Sequence, residues 1–378
     1  MPVRRLAVFS DFPEEKWLSM DLCAGMLVYH LHREQSNQLQ VQRLCPPFQW
    51  RWGQVPGLRH RRIAYNGDRL LNRFWDYPQF VRSQRHQFDG FHVADHSYAQ
   101  LVHALEPART GVFCHDIDAF RCLIDPVAEP RPVWFRAMSR HILQGLQRAA
   151  VVFYSTQAVR DQLIQHHLVQ GDRLVHAPYG IEPEFFHIET ALSEGDRAIL
   201  KQVGTKPFLL HVGSCIPRKR VDVLLEVFAA VRQAMPVLKL VKVGGEWSAD
   251  QQSQIQHHAL QENIIHLTGL QRSTLAALYR RAALVLQPSQ AEGFGLPVIE
   301  ALACGAIALI SDIPVLKEVG GDAVVYAPVA DVSAWIERTL FLLQSPHQAP
   351  PVEKRLSHAQ RYSWSTHAQI IADTYRQL

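Results

Sequence analysis

The sequence predicts an α/β protein made of two doubly wound domains. Short apolar runs that end in polar residues or glycine recur along the chain, and segments with helical spacing lie between them. This alternation is typical of parallel sheets covered by helices. A chain of 378 residues is long enough for two domains, because a domain usually spans roughly 100 to 200 residues.

The candidate strands form two groups, one in each half of the chain. In the first half they are Leu6 to Phe9, Gly90 to Ala94, Gly111 to Cys114, Val151 to Tyr154 and Leu174 to Ala177. In the second half they are Phe208 to Val212, Leu238 to Val243, Ile264 to Leu267, Leu284 to Gln287, Ala306 to Ile310 and Ala323 to Tyr326. Helical spacing predicts helices at Val221 to Met235, Ser273 to Ala283, Pro297 to Ala303 and Val332 to Leu343.

The strand pattern lapses between Glu182 and Pro207, where polar residues dominate. We therefore predict a first domain at 1–190 and a second at 191–360. The remaining segment, 361–378, is predicted to form a helix that packs back on the first domain. Ligands of doubly wound sheets bind beyond the carboxyl ends of the strands, so the cleft between two such domains is the expected site.

Composition and charge argue against several classes of protein. The formal net charge of +4 is too small for a general nucleic-acid binder. No window holds the ~18 uninterrupted apolar residues of a membrane span, and the short apolar run after the first arginines fits a strand better than a signal peptide. The six cysteines are scattered without a CxxC pair, so we expect reduced thiols and a cytoplasmic protein.

The segment 43–85 is locally basic and aromatic. It contains nine arginines and two acids, Asp68 and Asp76, interleaved with aromatic residues. Arginine beside an aromatic ring suits an anionic membrane surface or an anionic acceptor, because each contact combines charge attraction with partial burial. A solvated arginine-rich face over an ordinary core explains the pattern equally well.

Two loops carry the residue types of an anion site. Glu292-Gly-Phe-Gly-Leu-Pro-Val-Ile-Glu300 follows a strand and starts a helix, so the amides of Phe294, Gly295 and Leu296 are expected to point at a phosphate. Acids at a helix start also occur simply to complement the helix dipole. Arg218 and Lys219, in the loop after the strand 208–212, would clamp a diphosphate or form a solvated basic turn.

Four segments together resemble retaining glycosyltransferase family 4, the glycosyl transferases group 1. They are EGFGLPVIEALACG at 292–305, GSCIPRKRVDVLL at 213–225, FCHDID at 113–118 and APYGIEPEFF at 177–186. The EX7E motif of the family is intact in the two glutamates, Glu292 and Glu300. The resemblance implies the GT-B fold, in which two doubly wound Rossmann-like domains face each other across a cleft.

The resemblance also implies roles for individual residues. Arg218 and Lys219 would hold the donor diphosphate, and Glu300 would bind the nucleotide ribose. Glu292 would orient the donor sugar, with His115 facing that sugar from the first domain. The backbone of Phe294, Gly295, Leu296, Gly213 and Ser214 would complete the donor site.

Some residues depart from the family pattern or remain open to two interpretations. No glycine pair follows Phe9, and Ser214 stands where some relatives have arginine. His96 either faces the cleft or caps a helix. Asp116 and Asp118 form a DxD pattern that could bind a metal, although turn capping fits better. The twenty histidines show no HExxH or matching Cys/His spacing, so no metal site is predicted.

The expected function is therefore sugar transfer with retained configuration, without a metal cofactor. The donor would be a UDP or GDP sugar, and the acceptor a glycan or lipid-linked hydroxyl, with peripheral membrane contact through 43–85. A catalytically silent relative that binds a nucleotide or a partner is the alternative from another class. A GT-B isomerase or phosphorylase is a third interpretation, because the fold alone does not fix the reaction.

Overall fold

The computed structural model describes residues 3–54, 62–186 and 193–378. The chain divides into two compact units. The first comprises Met1–Gly180 together with Trp364–Leu378, and the second comprises Ile181–Ser363. The predicted boundary between residues 190 and 191 lies outside the described residues.

The described part of each unit contains one parallel sheet of six strands. The strands of the first unit are β1 Arg4–Phe9, β2 Leu39–Leu44, β3 Gly90–Val93, β4 Thr110–Cys114, β5 Val151–Tyr154 and β6 Leu174–His176. Those of the second are β7 Phe208–Val212, β8 Lys239–Val243, β9 Ile264–Leu267, β10 Leu284–Gln287, β11 Ala308–Ser311 and β12 Val325–Ala327. The predicted α/β class with two doubly wound sheets is confirmed.

Helices cover these sheets. In the first unit they are α1 Leu18–Glu34, α2 Arg62–Leu71, α3 Tyr77–Gln84, α4 Arg121–Ile124, α5 Val133–Arg148 and α6 Gln157–Gln165. In the second unit they are α7 Pro183–Phe186, α8 Glu194–Val203, α9 Val221–Ala234, α10 Ala249–His257, α11 Arg272–Arg281, α12 Leu296–Ala303, α13 Pro314–Gly320, α14 Val332–Gln344 and α15 Val352–Ala359. The last helix, α16 Trp364–Gln377, returns to the first unit.

The apolar periodicity of the sequence explains these elements. Strand β5 is a buried run of four residues, as expected for a parallel strand covered on both faces. Helix α9 buries Val223, Leu224, Val227, Phe228 and Val231, which is one stripe at helical spacing. The predicted strands at 151–154, 208–212, 264–267 and 284–287 have the observed bounds.

Strand β2 is absent from the predicted set. It pairs with β1 at the edge of the first sheet, in parallel register from Arg4 with Leu39 to Phe9 with Leu44. Only alternate residues near its start are buried, so its apolar signal is half that of a central strand. An edge strand of this kind is hard to separate from a loop by sequence.

Helix α16 packs against α1 within the first unit. Its buried residues recur at helical spacing from Trp364 to Tyr375. The Tyr375 hydroxyl donates to the Phe91 carbonyl at 2.7 Å and accepts from the Gly111 N–H at 3.1 Å. These two bonds fasten the end of the chain to β3 and β4.

The two sheets differ in strand order. The first runs β2-β1-β3-β4-β5-β6, and the second runs β12-β11-β10-β7-β8-β9. The order in which strands are added to the sheet therefore reverses between β1 and β3 in the first unit, and between β7 and β10 in the second. Ligands of open parallel sheets bind beyond the carboxyl ends of the strands at such a switch point.

Candidate functional site

The candidate site of the second unit lies at the switch point between β7 and β10. The loop after β7 carries Arg218 and Lys219, and the loop after β10 carries Glu292. The Gln290 N–H donates to the Arg218 carbonyl at 2.8 Å, which ties the two loops together. The structure thus brings these three predicted side chains into one cluster.

Glu292 is the centre of this cluster. Each of its carboxylate oxygens accepts from the Lys219 ammonium at 2.6 Å. Arg218 Nη1 lies 3.4 Å from Oε2. The Ser289 hydroxyl donates to Oε1 at 2.7 Å, and the Gln287 amide donates to the same oxygen at 3.2 Å. The carboxylate is therefore held from several sides.

The charge state of Glu292 follows from these contacts. Burial alone would raise the pKa of this carboxyl, because the side chain is only 4% exposed. Lys219 and Arg218 outweigh burial and lower the pKa to about 2. Glu292 is therefore ionised at neutral pH. Two cations around one carboxylate leave a net positive charge, which favours an anionic ligand.

The start of α12 lies directly after Glu292. Gly295 precedes the helix with φ 103°, a conformation that favours glycine, and a Cβ there would lie 2.8 Å from Leu316 Cδ2. Leu296 is the first helical residue, with Pro297 in the first turn. Phe294 is buried, and its ring packs edge-on against Tyr362 at 5.6 Å. Glycine and proline thus fix where the helix begins.

Gly213 lies just beyond β7, before Ser214. Its N–H donates to the Val243 carbonyl at 3.0 Å, and its carbonyl accepts from Lys242 Nζ at 2.7 Å. Lys242 also donates to the Gly244 carbonyl and is fully buried. Burial lowers the pKa of this lysine to about 8. A buried ammonium therefore lies beneath the glycine turn, and sequence reasoning did not identify it.

Glu300, on α12, uses both carboxylate oxygens. Arg272 donates to Oε1, and the Tyr279 hydroxyl donates to Oε2 at 3.0 Å. The same guanidinium binds Glu182, with Nε 2.6 Å from Oε1, and lies 4.6 Å over the Phe185 ring. Burial raises the pKa of Glu182, Arg272 opposes this rise, and the charge of Glu300 adds to it. One arginine thus joins two buried carboxylates.

Arg272 and Glu182 are further residues that sequence reasoning missed. Glu182 lies within the APYGIEPEFF segment, but nothing in the sequence relates that segment to Arg272 or Glu300. Arg272 and Glu182 are ninety residues apart in the sequence. Only the packing of α11 against α7 and α12 brings these three side chains together.

A comparison with known families identifies most of the second unit. Residues 193–361 match the family described as Glycosyl transferases group 1. This stretch contains the loops after β7 and β10 and the whole of α12. We call residues 193–361 the group 1 domain, after the family that they match.

Curated relatives extend beyond the group 1 domain. Serotype-specific mannosyltransferase WbdA of Escherichia coli is 25% identical over 280 residues, which are 72% of this chain and 34% of the relative. O-antigen chain mannosyltransferase B of Escherichia coli is 28% identical over 284 residues, covering 74% of this chain and 72% of the relative. The chain thus spans about a third of the first of these relatives.

Solved structures resemble the whole chain. HepE of Anabaena, solved with UDP-glucose, aligns with a TM-score of 0.73 at 16% identity, over 99% of this chain and all of that one. WaaG, a glycosyltransferase involved in lipopolysaccharide biosynthesis, aligns with a TM-score of 0.70 at 18% identity, over 98% of both chains. These likenesses show that the chain has the GT-B fold.

His115 lies in the first unit, outside the group 1 domain. Both of its ring nitrogens have partners there. Nδ1 bonds to the Tyr179 hydroxyl, and Nε2 lies 2.8 Å from the Ala94 carbonyl oxygen. Burial lowers the pKa of His115, although Asp95 opposes this. Its expected contact with a donor sugar remains a prediction.

Ion pairs reduce the positive charge that segment 43–85 leaves available to a ligand. Four of its arginines contact acids, as shown by the pairs Arg43 with Asp21, Arg51 with Asp76, and both Arg69 and Arg73 with Glu15. Several of its large apolar side chains are exposed, including Ile63 at 85% and Trp75 at 64%. Residues 55–61 of the segment lie outside the described part. The surface is therefore more apolar than its composition indicates.

The DxD pattern at Asp116 and Asp118 forms a turn. The Asp118 N–H donates to Asp116 Oδ1 at 2.9 Å, which is the local bond of a capped turn. Within residues 3–54, 62–186 and 193–378, no group of three or more His, Cys, Asp or Glu side chains is arranged to hold a metal ion. Among the described helices, none has the length and apolar character that a membrane crossing requires.

Proposed function

We propose that this protein is a glycosyltransferase. It transfers a sugar from a nucleoside diphosphate donor to a hydroxyl of a glycan or lipid-linked acceptor, in the assembly of a surface polysaccharide or glycolipid. Support comes from the group 1 domain and from relatives that are named mannosyltransferases. The observation that carries the proposal is the cluster of Lys219, Arg218 and Glu292 at the switch point of the second sheet.

The cluster suits a donor diphosphate. Arg218 and Lys219 would share their charge between Glu292 and the phosphates, so the carboxylate keeps both cations in place before the ligand binds. Glu292 would accept hydrogen bonds from sugar hydroxyls and so orient the sugar, because its low pKa keeps the carboxyl ionised. Glu300, held by Arg272 and Tyr279, would accept from the ribose hydroxyls.

The proposed reaction retains the configuration of the sugar. The acceptor hydroxyl would approach the face that the diphosphate leaves, and the departing phosphate oxygen would take its proton. Arg218 and Lys219 would stabilise the charge that develops on the leaving group, each supplying about 2 to 4 kcal/mol. We further propose that these cations make a divalent metal unnecessary.

Nucleotide binding tests this function first. We would measure the thermal stabilisation of the protein by UDP, GDP and their sugars, with and without EDTA, because a ligand that binds the folded state raises its melting temperature. One base family should stabilise the wild type regardless of EDTA. Glu300→Ala should lose the effect, whereas Glu262→Ala, at an exposed position of the same unit, should keep it. No stabilisation by any nucleotide would refute the donor site.

Product analysis tests the course of the reaction. Incubation of the stabilising donor with an acceptor should release free nucleoside diphosphate, and the anomeric coupling in the NMR spectrum of the product should match that of the donor. An inverted product would contradict retention. A protein that binds nucleotide but releases no diphosphate would be a silent relative.

We also propose that the first unit contacts the inner face of a membrane through segment 43–85. Exposed Trp75 and Ile63 support this, while the paired arginines reduce the charge available to anionic lipid. Sedimentation with phosphatidylcholine vesicles, with and without phosphatidylglycerol, tests it. Trp75→Ala should weaken binding more than Trp134→Ala, an equally large exposed residue outside the segment. Equal losses would refute this surface.

A further inference from the structure

Lys242 is a buried cation to which the proposed transfer reaction assigns no role. It lies in β8, the strand next to β7 in the second sheet. Its ammonium donates to the carbonyls of Gly213 at 2.7 Å and Val243 at 3.2 Å, and also to the Gly244 carbonyl. Within the part of the chain that the structure describes, no carboxylate forms an ion pair with it. A buried charge without a counter-ion is costly, so an anionic ligand nearby would stabilise it.

The ammonium ties together two turns at the carboxyl ends of β7 and β8. Gly213 begins the turn after β7, and Gly244 begins the turn after β8. The two turns touch, because a Cβ on Gly245 would lie only 2.6 Å from the backbone nitrogen of Cys215. Gly244 and Gly245 have φ values of 82° and 66°, which favour glycine. Glycine thus lets the two backbones approach each other next to the lysine.

This pair of turns lies beside the cation cluster of the second unit. A Cβ on Gly213 would lie 4.0 Å from Lys219 Cε, so the space next to Gly213 is shared with the side chain of Lys219. The charge of Lys219 also acts on Lys242, whose pKa it helps to lower. A ligand held by Lys219 would therefore lie close to both turns.

The contacts of Lys242 determine where the next N–H groups point. In a trans peptide the carbonyl of one residue and the N–H of the next point in opposite directions, and the described part of the chain has no cis peptide bond. The carbonyls of Gly213 and Gly244 point at the ammonium, so the N–H groups of Ser214 and Gly245 point away from it. Neither N–H has an acceptor among the described residues. Neighbouring N–H groups of this kind suit an anion.

We propose that Lys242 is a positioning residue for the donor diphosphate, which would accept from the N–H groups of Ser214 and Gly245. The inference rests on the proposed transferase function and adds a residue that acts through the backbone. Lys242 would hold both carbonyls away from the phosphates and direct both N–H groups towards them. Its charge, which no described carboxylate offsets, would add to that of Arg218 and Lys219.

The titration of Lys242 gives the proposal a pH signature. Burial is the main cause that lowers the pKa of Lys242 to about 8, while Cys215 opposes the fall and Lys219 adds to it. The ammonium is therefore charged below about pH 8 and loses its charge as pH rises through that value, and diphosphate affinity should fall with it. The titratable groups around it are His211 on β7, Cys215 and Lys219 in the loop after β7, Glu246 in the loop after β8 and His266 on β9.

Calorimetric titration of the full chain with a nucleoside diphosphate tests the positioning role. The probe is UDP or GDP, whichever stabilises the wild type, and its Kd is measured at pH 7. Lys242→Met should weaken binding about tenfold, because the charge and the orientation of two N–H groups are lost. Lys239→Met is the matched control, since Lys239 begins the same strand at its amino end, and it should bind as the wild type does. Wild-type affinity in Lys242→Met would overturn the proposal.

The parent nucleoside separates positioning from folding. Uridine or guanosine carries no phosphate, so saturation-transfer NMR should detect equal nucleoside binding in the wild type and in Lys242→Met. A loss of nucleoside binding as large as the loss of diphosphate binding would mean that Lys242 only supports the fold, and would overturn the proposal.

The pH profile of the wild type provides a measurement that needs no variant. Its affinity for the diphosphate should fall about fivefold from pH 7 to pH 9, as the ammonium is deprotonated. The nucleoside, measured over the same range, corrects for titration of the base. A diphosphate affinity that stays constant over this range after that correction would overturn the proposal.

The role of Lys242 and the transfer reaction can fail separately. If the wild type binds the diphosphate but transfers no sugar, the transfer reaction fails while the role of Lys242 stands. If the wild type transfers sugar and Lys242→Met binds the diphosphate as tightly, the role of Lys242 fails alone. No binding of either diphosphate by the wild type would overturn both.

Discussion

The two units have the same kind of sheet but carry different charged groups at its switch point. Each is a six-stranded parallel sheet whose switch point carries the polar side chains. In the group 1 domain that point holds two cations around an ionised carboxylate, Glu292. In the first unit it holds two neighbouring carboxyls: burial raises the pKa of Asp11 well above its ordinary value, whereas His96 and His115 outweigh burial and lower the pKa of Asp95 to about 2.

The difference shows which property belongs to the fold and which to the loops. The strand order decides where a site lies, since only at the switch point do adjacent loops leave in opposite directions. The loop residues decide what binds there. The positive cluster of the second unit favours a diphosphate, whereas the two neighbouring carboxyls of the first unit do not.

The largest expected effect comes from breaking the cation cluster. Lys219→Met leaves Glu292 buried with one weaker cationic partner, so the free energy of unfolding should fall by about 3 to 5 kcal/mol. Urea unfolding measures this loss, and diphosphate release should fall at least a hundredfold.

Lys201→Met, at an exposed position of the same unit, is the matched control and should leave both quantities unchanged. A stable and active Lys219→Met variant would mean that the ion pair is not the centre of the group 1 site.

The pH dependence of stability should have opposite signs in the two units. The pKa of Glu292 falls from 4.5 to about 2, so this group stabilises the fold above pH 4.5 and loses that contribution as pH falls towards 2. The contribution is roughly 3 kcal/mol. It is measured as the difference in urea stability between wild type and Glu292→Gln across that range.

Asp11 should behave in the reverse way. Its raised pKa means a contribution that is complete below its ordinary pKa and declines as pH rises through the folded value. As pH rises, the stability of the wild type relative to Asp11→Asn should therefore fall, whereas its stability relative to Glu292→Gln should rise. The same slope for both variants would contradict the electrostatic contrast between the units.

Replacing His115 tests whether its bonds are structural. His115→Ala removes the bonds of this ring to the Tyr179 hydroxyl and the Ala94 carbonyl, so the free energy of unfolding should fall by about 2 kcal/mol. Thermal stabilisation by nucleotide, which reports on the group 1 domain, should be retained. Unchanged stability together with lost transfer would instead favour the donor-sugar role expected from the resemblance.

The smallest effect is expected at Arg272. Arg272→Gln removes the charge that joins Glu182 to Glu300, so the ribose carboxylate should be less well positioned. The KM for the donor should rise about tenfold with little change in kcat, because the loss concerns binding of the nucleotide. Arg272→Lys should recover part of the affinity. A fall in kcat at constant KM would contradict this positioning role.

Much of the fold and of the group 1 site could be predicted from the sequence. The strands 208–212 and 284–287 are short buried runs, so their apolar residues alone predict their bounds. Glu292 and Arg218 follow such strands directly, and loops at the carboxyl ends of parallel strands converge. The predicted proximity of Glu292, Arg218 and Lys219 follows from that rule.

Other features depend on contacts between distant segments. Edge strand β2 has a weak pattern because one of its faces is largely exposed. Lys242 is one of two lysines in strand β8, and the carbonyl groups to which it donates belong to turns that only the folded sheet brings near. The approach of Arg272 to Glu182 and Glu300 likewise depends on the packing of three helices.

The sequence by itself determined the fold class, the main strands and the anion-binding loops, because these follow from periodicity and local residue order. Only the tertiary structure decided which groups are already satisfied. His115, expected to contact a ligand, has both ring nitrogens bonded. Hydrogen-bond satisfaction is a property of three-dimensional neighbours, and the order of residues along the chain does not contain it.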